Sequence, residues 1–144
     1  MESVQSSSYG SESRGSACHA GVIISDEPIS YPNVRDVSIL IAMSQVAYEK
    51  FALMVKPGGR IFYDDNSVEL VSVNGVEQAA VPATDLATKL GNANVANVCM
   101  LSAVIAATGI IERKSLQAAL KDQCPERFMD INMQAIGAGF GLRN

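Results

Sequence analysis

Near the start of the chain stand Tyr9, Gly10, Ser11, Glu12, Ser13, Arg14, Gly15 and Ser16, a group with the composition of a binding loop. Gly10 and Gly15 open backbone angles that are closed to other residues, so the chain can turn tightly on both sides of the charges. Arg14 carries a planar fork of donors suited to a carboxylate or a phosphate. Glu12 places an opposite charge two residues away, and Tyr9 adds an aromatic ring with a polar tip. Such a loop could hold an anionic ligand or a partner's carboxylate. Read on its residues alone, the preferred reading is a surface loop whose Glu12 and Arg14 pair with each other, a common and weak arrangement.

The other chemistry-bearing residues form less. Cys18 and His19 are adjacent, and neighbours on a strand point to opposite faces, which argues against a Cys–His nucleophile pair. Asp64 and Asp65 could meet a metal at a strand end, but turn chemistry favours aspartate there and the expected reading is a solvated turn. Asn92, Asn94 and Asn97 open a helix, where capping is preferred over recognition of a ligand at the helix N-terminus. The three cysteines, Cys18, Cys99 and Cys124, are odd in number and widely spaced, with no Cys-x-x-Cys. A disulfide framework and a four-thiolate iron–sulfur site are therefore not expected, and a reducing cytoplasm fits. His19 is the only histidine, which argues against a histidine-based zinc site. No catalytic residue and no metal ligand is assigned.

These residues need a scaffold, and the composition provides one. The 144 residues are 48% hydrophobic, enough for one domain with a real core over residues 1–144. The net charge of −4 lacks the basic surplus of a nucleic-acid binder. The polar N-terminus has no apolar core of a signal peptide. The apolar stretch over 95–111 falls short of a membrane span and reads as a buried core helix.

Residues 1–18 read as a loop, with a short strand near 4–8. Residues 21–25 are a β-branched strand ended by Pro28. Residues 36–43, with Val37, Ile39, Leu40 and Ile41, have the continuous apolar character of a strand covered on both faces. Ser44 is placed to cap a helix with Ala47, Phe51, Met54 and Val55 on one face, stopped by Pro57-Gly58-Gly59. A strand over 60–63 then completes a βαβ unit, whose strands should be parallel. Asn74-Gly75 predicts a hairpin between 68–73 and 76–81. Helices follow: Thr84 to Leu90 with Gly91 after it, 94–107 stopped by Gly109, one carrying Leu116, Ala119 and Leu120, and one from Pro125 toward Phe140. The last has two apolar stripes, Phe128, Ile131 and Ala135, and Met129, Met133, Ile136 and Phe140. The fold expected is α/β: a mostly parallel sheet with helices on both faces, plus C-terminal helices.

The motif from Tyr9 to Gly15, followed by Val22-Ile-Ile-Ser-Asp-Glu-Pro-Ile29, closely resembles the gamma subunits of 2-oxoacid:ferredoxin oxidoreductases. The resemblance continues through Leu40-Ile-Ala-Met-Ser-Gln45 with Ala47 and Tyr48, Lys56-Pro-Gly-Gly59, Val81-Pro-Ala-Thr84, the segment 92–101, Ile131-Asn132 and Ala138-Gly139. Each motif is weak alone. Their order and spacing are specific, and are most like the 2-oxoglutarate branch.

That resemblance implies an accessory subunit in a complex that oxidatively decarboxylates a 2-oxoacid, with 2-oxoglutarate as the best guess, to its acyl-CoA and reduces ferredoxin. Thiamine diphosphate, magnesium, the iron–sulfur cluster and coenzyme A are expected in the complex rather than in this chain. The expected partners are the alpha and beta subunits, a ferredoxin-like delta subunit where one exists, and ferredoxin through the complex, with no nucleic acid and no membrane. Tyr9, Gly10, Glu12, Arg14, Gly15 and Ser16 become candidate contacts to partner or ligand. The family's usual glycine-rich strand–helix unit ahead of the Tyr-Gly motif is not present before Tyr9, so its phosphate-cradling role is not carried over. Ser11 and Ser16 replace the usual Pro and second Gly. Without that unit a sheet edge should be exposed, and the isolated chain is expected to self-associate. The alternative is a stand-alone α/β module binding a nucleotide or coenzyme A-type ligand without catalysis.

Overall fold

The computed structural model describes residues 1–8, 18–31 and 33–142. The chain builds a three-stranded parallel sheet with helices on both faces, preceded by a two-stranded antiparallel ribbon. The ribbon pairs β1 (Glu2–Ser8) with β2 (His19–Ser25), Glu2 opposite Ser25 and Ser8 opposite His19. Most of residues 1–8 is thus strand rather than loop. β1 is nearly all serine and polar, and its apolar partner β2 is what makes it pair.

The sheet order is β3 (Val37–Ala42), β4 (Val55–Asp64), β5 (Glu77–Val81). Period-two alternation divides the side chains between two cores. Ile39, Phe62, Ala79 and Val81 face one core with α2 (Ala83–Lys89), α3 (Ala96–Thr108) and α5 (Met129–Gly141). Leu40, Ala42 and Ile61 face the other, with α1 (Gln45–Phe51) and Val68. The βαβ unit forms as expected, β3 parallel to β4, with the Ser44 hydroxyl accepting from Ala47 N–H at 3.2 Å. The buried face of α1 is Tyr48 and, in the following 3-10 turn, Ala52, one position away from the expected Ala47 and Phe51. Tyr48 can be buried because its hydroxyl is satisfied: it accepts from Val71 N–H at 3.1 Å and lies 2.6 Å from Gln78 Oε1.

Pro57-Gly58-Gly59 does not end the helix. It interrupts the β3–β4 ladder, which jumps from Val37 opposite Val55 to Ile39 opposite Arg60. A Cβ on Gly59 would stand 2.9 Å from the Ser38 carbonyl oxygen and 2.6 Å from the Val55 side chain, so only glycine fits. The expected hairpin at Asn74-Gly75 is also absent. Residues 68–73 are not a strand, and β5 runs parallel to β4. Gly75 has φ +72 and its carbonyl accepts from Gly58 N–H at 2.8 Å, so the turn docks on the ladder interruption instead of closing a hairpin.

Gly91 ends α2 as its sequence position suggests. At φ +84 it sends its N–H to Thr88 while Asn92 N–H reaches Ala87, the reciprocal pair of a Schellman motif. Thr84 lies inside α2 and is not its cap. α3 ends at Gly109, φ +64, and is buried over most of its length, which accounts for its apolar sequence. α4 (Arg113–Gln123) buries Leu116, while Ala119 is exposed. On α5 the buried ridge is Asn132, Ala135, Ile136 and Gly139, running between the two expected stripes; Phe128 is exposed. No helix among the described residues is long and apolar enough to cross a membrane.

Candidate functional site

Tyr9, Gly10, Glu12, Arg14, Gly15 and Ser16 lie outside the described residues. Their frame is described. Ser8 and His19 are paired, so the two strands on either side of residues 9–17 are held side by side. The His19 ring lies 4.9 Å from the ring of Phe51, tilted by 55°, which ties this end of the ribbon to the C-terminus of α1. Cys18, next to it, is exposed. Among the described residues there is no cluster of three His, Cys, Asp or Glu side chains able to hold a metal.

Asp64 departs from the expectation of a solvated turn. It ends the central strand β4 and is 1% exposed. Its carboxylate accepts from the Ser67 hydroxyl at 3.2 Å, from the Thr84 hydroxyl and, at 3.4 Å, from Thr84 N–H at the start of α2. Its backbone carbonyl accepts from Ser67 and Val68. A buried carboxylate persists only when hydrogen-bonded, and here it fastens the end of β4 to the first turn of α2. All of these partners are internal, so its role is architectural. Asn92 is also structural: it caps the 3-10 turn Ala93–Val95, its Oδ1 accepting from Asn94 N–H at 3.0 Å. Asn97 is not a cap; it lies inside α3, whose N-cap Val95 makes no side-chain cap bond, and its Oδ1 accepts from the adjacent Val98 N–H at 2.8 Å.

One cleft was not visible in the sequence. Ile23, Tyr31, Asn33, Val34, Arg35 and Asp36 line an open hollow of about 430 Å³ beside the ribbon. The Arg35 guanidinium lies 4.6 Å from the Tyr31 ring centroid. Hydrogen bonding to Asn33 and then to Arg35 lowers the Tyr31 phenol below its ordinary value. Tyr31, Asn33 and Arg35 alternate in an irregular segment, and that spacing was the available signal. The cleft offers one cation, one carboxylate from Asp36, one phenol, one amide and two apolar side chains, a set that suits contact and binding.

The local geometry therefore describes a scaffold for contacts, and comparison with known proteins supplies the context. The model of the pyruvate ferredoxin/flavodoxin oxidoreductase family matches residues 1–142. The chain belongs to this family. Within this oxidoreductase family it is 35% identical over 142 residues to the 2-oxoglutarate synthase subunit KorC of Methanocaldococcus jannaschii, covering 96% of this chain and 76% of the relative. The solved gamma subunit of a keto/oxoacid ferredoxin oxidoreductase from Geobacter sulfurreducens has the same fold, with a TM-score of 0.82 and 30% identity over 97% of this chain and 79% of that one. The ketoisovalerate oxidoreductase subunit VorA of Methanothermobacter thermautotrophicus is 36% identical over 135 residues, which are 91% of this chain but only 28% of VorA. The α/β architecture and the gamma-subunit resemblance read from the motifs are thus shown, and the chain is related to subunits of oxidoreductase complexes.

Proposed function

We propose that this chain is the gamma subunit of a 2-oxoacid:ferredoxin oxidoreductase that converts 2-oxoglutarate and coenzyme A to the acyl-CoA and carbon dioxide, passing the electrons to ferredoxin. The observation that carries the reading is the 35% identity to a 2-oxoglutarate synthase subunit over nearly the whole chain. Thiamine diphosphate, magnesium, the iron–sulfur cluster and the coenzyme A site are assigned to companion chains. The donor set here supports that division. Three cysteines cannot supply a four-thiolate cluster, and Cys99 is sequestered in the core while Cys18 is exposed.

The chain's own work is assembly. Tyr9, Glu12 and Arg14 contact the catalytic subunits near the coenzyme A or substrate channel, with Gly10, Gly15 and Ser16 shaping the loop that carries them. Co-expression with the thiamine-diphosphate-binding and ferredoxin-like subunits tests the reading. A stable hetero-oligomer is the expected product; a chain that purifies alone in their presence overturns it. Calorimetry of the isolated chain separates the alternative, since tight coenzyme A or nucleotide binding without partners favours a stand-alone ligand-binding module.

A further inference from the structure

Two opposite charges share the cleft beside the ribbon without neutralising each other. Arg35 and Asp36 both line it, with Tyr31, Asn33, Ile23 and Val34. Among the described residues neither Arg35 nor Asp36 takes part in an ion pair. Each alone would be an ordinary solvated surface charge. Their surroundings make them more than that.

The cleft has a fixed frame. Residues 26–31 and 33–36 join β2 to β3 with no regular structure, yet they are pinned to the ribbon at two points. Ile29 N–H donates to the Glu2 carboxylate at 3.2 Å. Val34 sits tightly over Gly21, where a Cβ would stand 2.8 Å from Val34 Cγ2. Arg35 is also held in place, its guanidinium 4.6 Å from the centroid of the Tyr31 ring. A guanidinium over an aromatic ring keeps its planar fork of donors available to a carboxylate. Ile23 and Val34, both half-buried, give the hollow an apolar wall. Its volume of about 430 Å³ lies in the range of small-molecule sites.

We propose that this cleft binds a free α-amino acid with an apolar side chain, in its zwitterionic form. Arg35 takes the ligand carboxylate, with the Asn33 amide as a second donor. Asp36 takes the ammonium group, and Ile23 and Val34 meet the side chain. A simple anion such as phosphate or a 2-oxoacid would gain from Arg35 but be repelled by Asp36, and a simple amine would face the reverse. A zwitterion carries both charges on one small body and satisfies both residues. The site lies wholly on this chain, so the proposal stands or falls separately from the assembly proposed above.

Titration of the full chain with L-leucine tests it, followed by calorimetry and by chemical-shift changes at Asn33 and Arg35. Two exposed charge contacts give weak binding, so the expected dissociation constant is on the order of 1 mM. The probes 4-methylpentanoate and isoamylamine keep the leucine skeleton with one charge each. Both, and inorganic phosphate, should bind at least about tenfold more weakly. R35Q and D36N should each weaken leucine binding by a similar factor, and K121Q on α4 should leave it unchanged. Arg35 and Asp36 are exposed, so these variants should fold, and circular dichroism verifies it. No response to leucine at about 20 mM, well above the expected constant, overturns the proposal. So does leucine binding that R35Q and D36N leave intact. Binding of 4-methylpentanoate as tight as that of leucine, lost in R35Q alone, also overturns it, in favour of a simple carboxylate site.

Discussion

Gly139 meets Ser102 across the α3–α5 contact so closely that a Cβ on the glycine would stand 2.5 Å from the Ser102 Cβ. It would lie equally close to the Cys99 carbonyl oxygen, and 2.9 Å from Ala103 N. Two helices can approach like this only where one offers no side chain. The Ser102 hydroxyl is turned away into its own helix, donating to the Val98 carbonyl at 2.6 Å. Helix propensity favours alanine over glycine inside a helix by about 1 kcal/mol; here packing decides against it.

G139A is therefore expected to destabilise the fold by about 1–3 kcal/mol, the usual cost of overpacking a core. G137A, two residues away, is the matched control. Its Cβ would meet only the end of the Arg113 side chain at 3.9 Å, so it should be neutral or stabilising by up to about 1 kcal/mol. Chemical denaturation of both variants checks the contrast, and equal stabilities would refute this account of the contact.

Asp64 supports a second prediction. Replacing it with Asn keeps the shape but presents a donor where Ser67 and Thr84 also donate. D64N should cost about 1–3 kcal/mol, the penalty for leaving a buried polar group unmatched. The double variant D64N/T84V should lose less than the two single changes added together, since the residues share one network. Strict additivity in a thermal denaturation series would show that they do not.

The cysteines should differ sharply in reactivity. Burial pushes the Cys99 thiol above its ordinary value, so less of it is thiolate at a given pH, and it is shielded as well. Cys18 is exposed and should be the first to take up an alkylating reagent, with Cys99 labelled only on unfolding. The same shift has a sign for stability. The folded state holds the Cys99 proton more tightly than the unfolded state, so this contribution is complete below the ordinary thiol value of 9.0 and is lost as pH rises above it. Replacing Cys99 by Ser should flatten that alkaline decline.

Arg14 is among the residues proposed above as a partner contact. R14A should weaken assembly with the catalytic subunits or lower turnover by roughly tenfold, the scale of one charge-assisted hydrogen bond. Turnover and assembly both unchanged would remove Arg14 from the contact.

Local chemistry was readable wherever a short-range signal had one solution. Ser44 caps α1, Gly91 and Gly109 end their helices, and the apolar run of β3 lies between two helical layers as its composition implied. The misses come from partners distant in sequence. Asn74-Gly75 has hairpin chemistry, but β5 finds more to bury beside β4 than its own preceding segment offers. Pro57-Gly58-Gly59 looks like a helix stop until Ser38 is known to pass beside Gly59. Asp64 looked solvated because nothing local shows that Thr84, twenty residues on, folds over it. Of the candidate site, the 9–16 motif was legible only through its family resemblance, and the Tyr31–Arg35 cleft needed the irregular segment between β2 and β3 to be folded first.

Ferredoxin reduction by the reconstituted complex is the deciding measurement for a gamma-subunit role. The companion subunits are assayed with 2-oxoglutarate and coenzyme A, with and without this chain, and with pyruvate or a branched-chain 2-oxoacid in place of 2-oxoglutarate. This chain is expected to restore activity dependent on coenzyme A, greatest with 2-oxoglutarate, and to have none alone. Full activity of the companion subunits without it, or turnover by the isolated chain, would show that it is not an accessory subunit of this reaction.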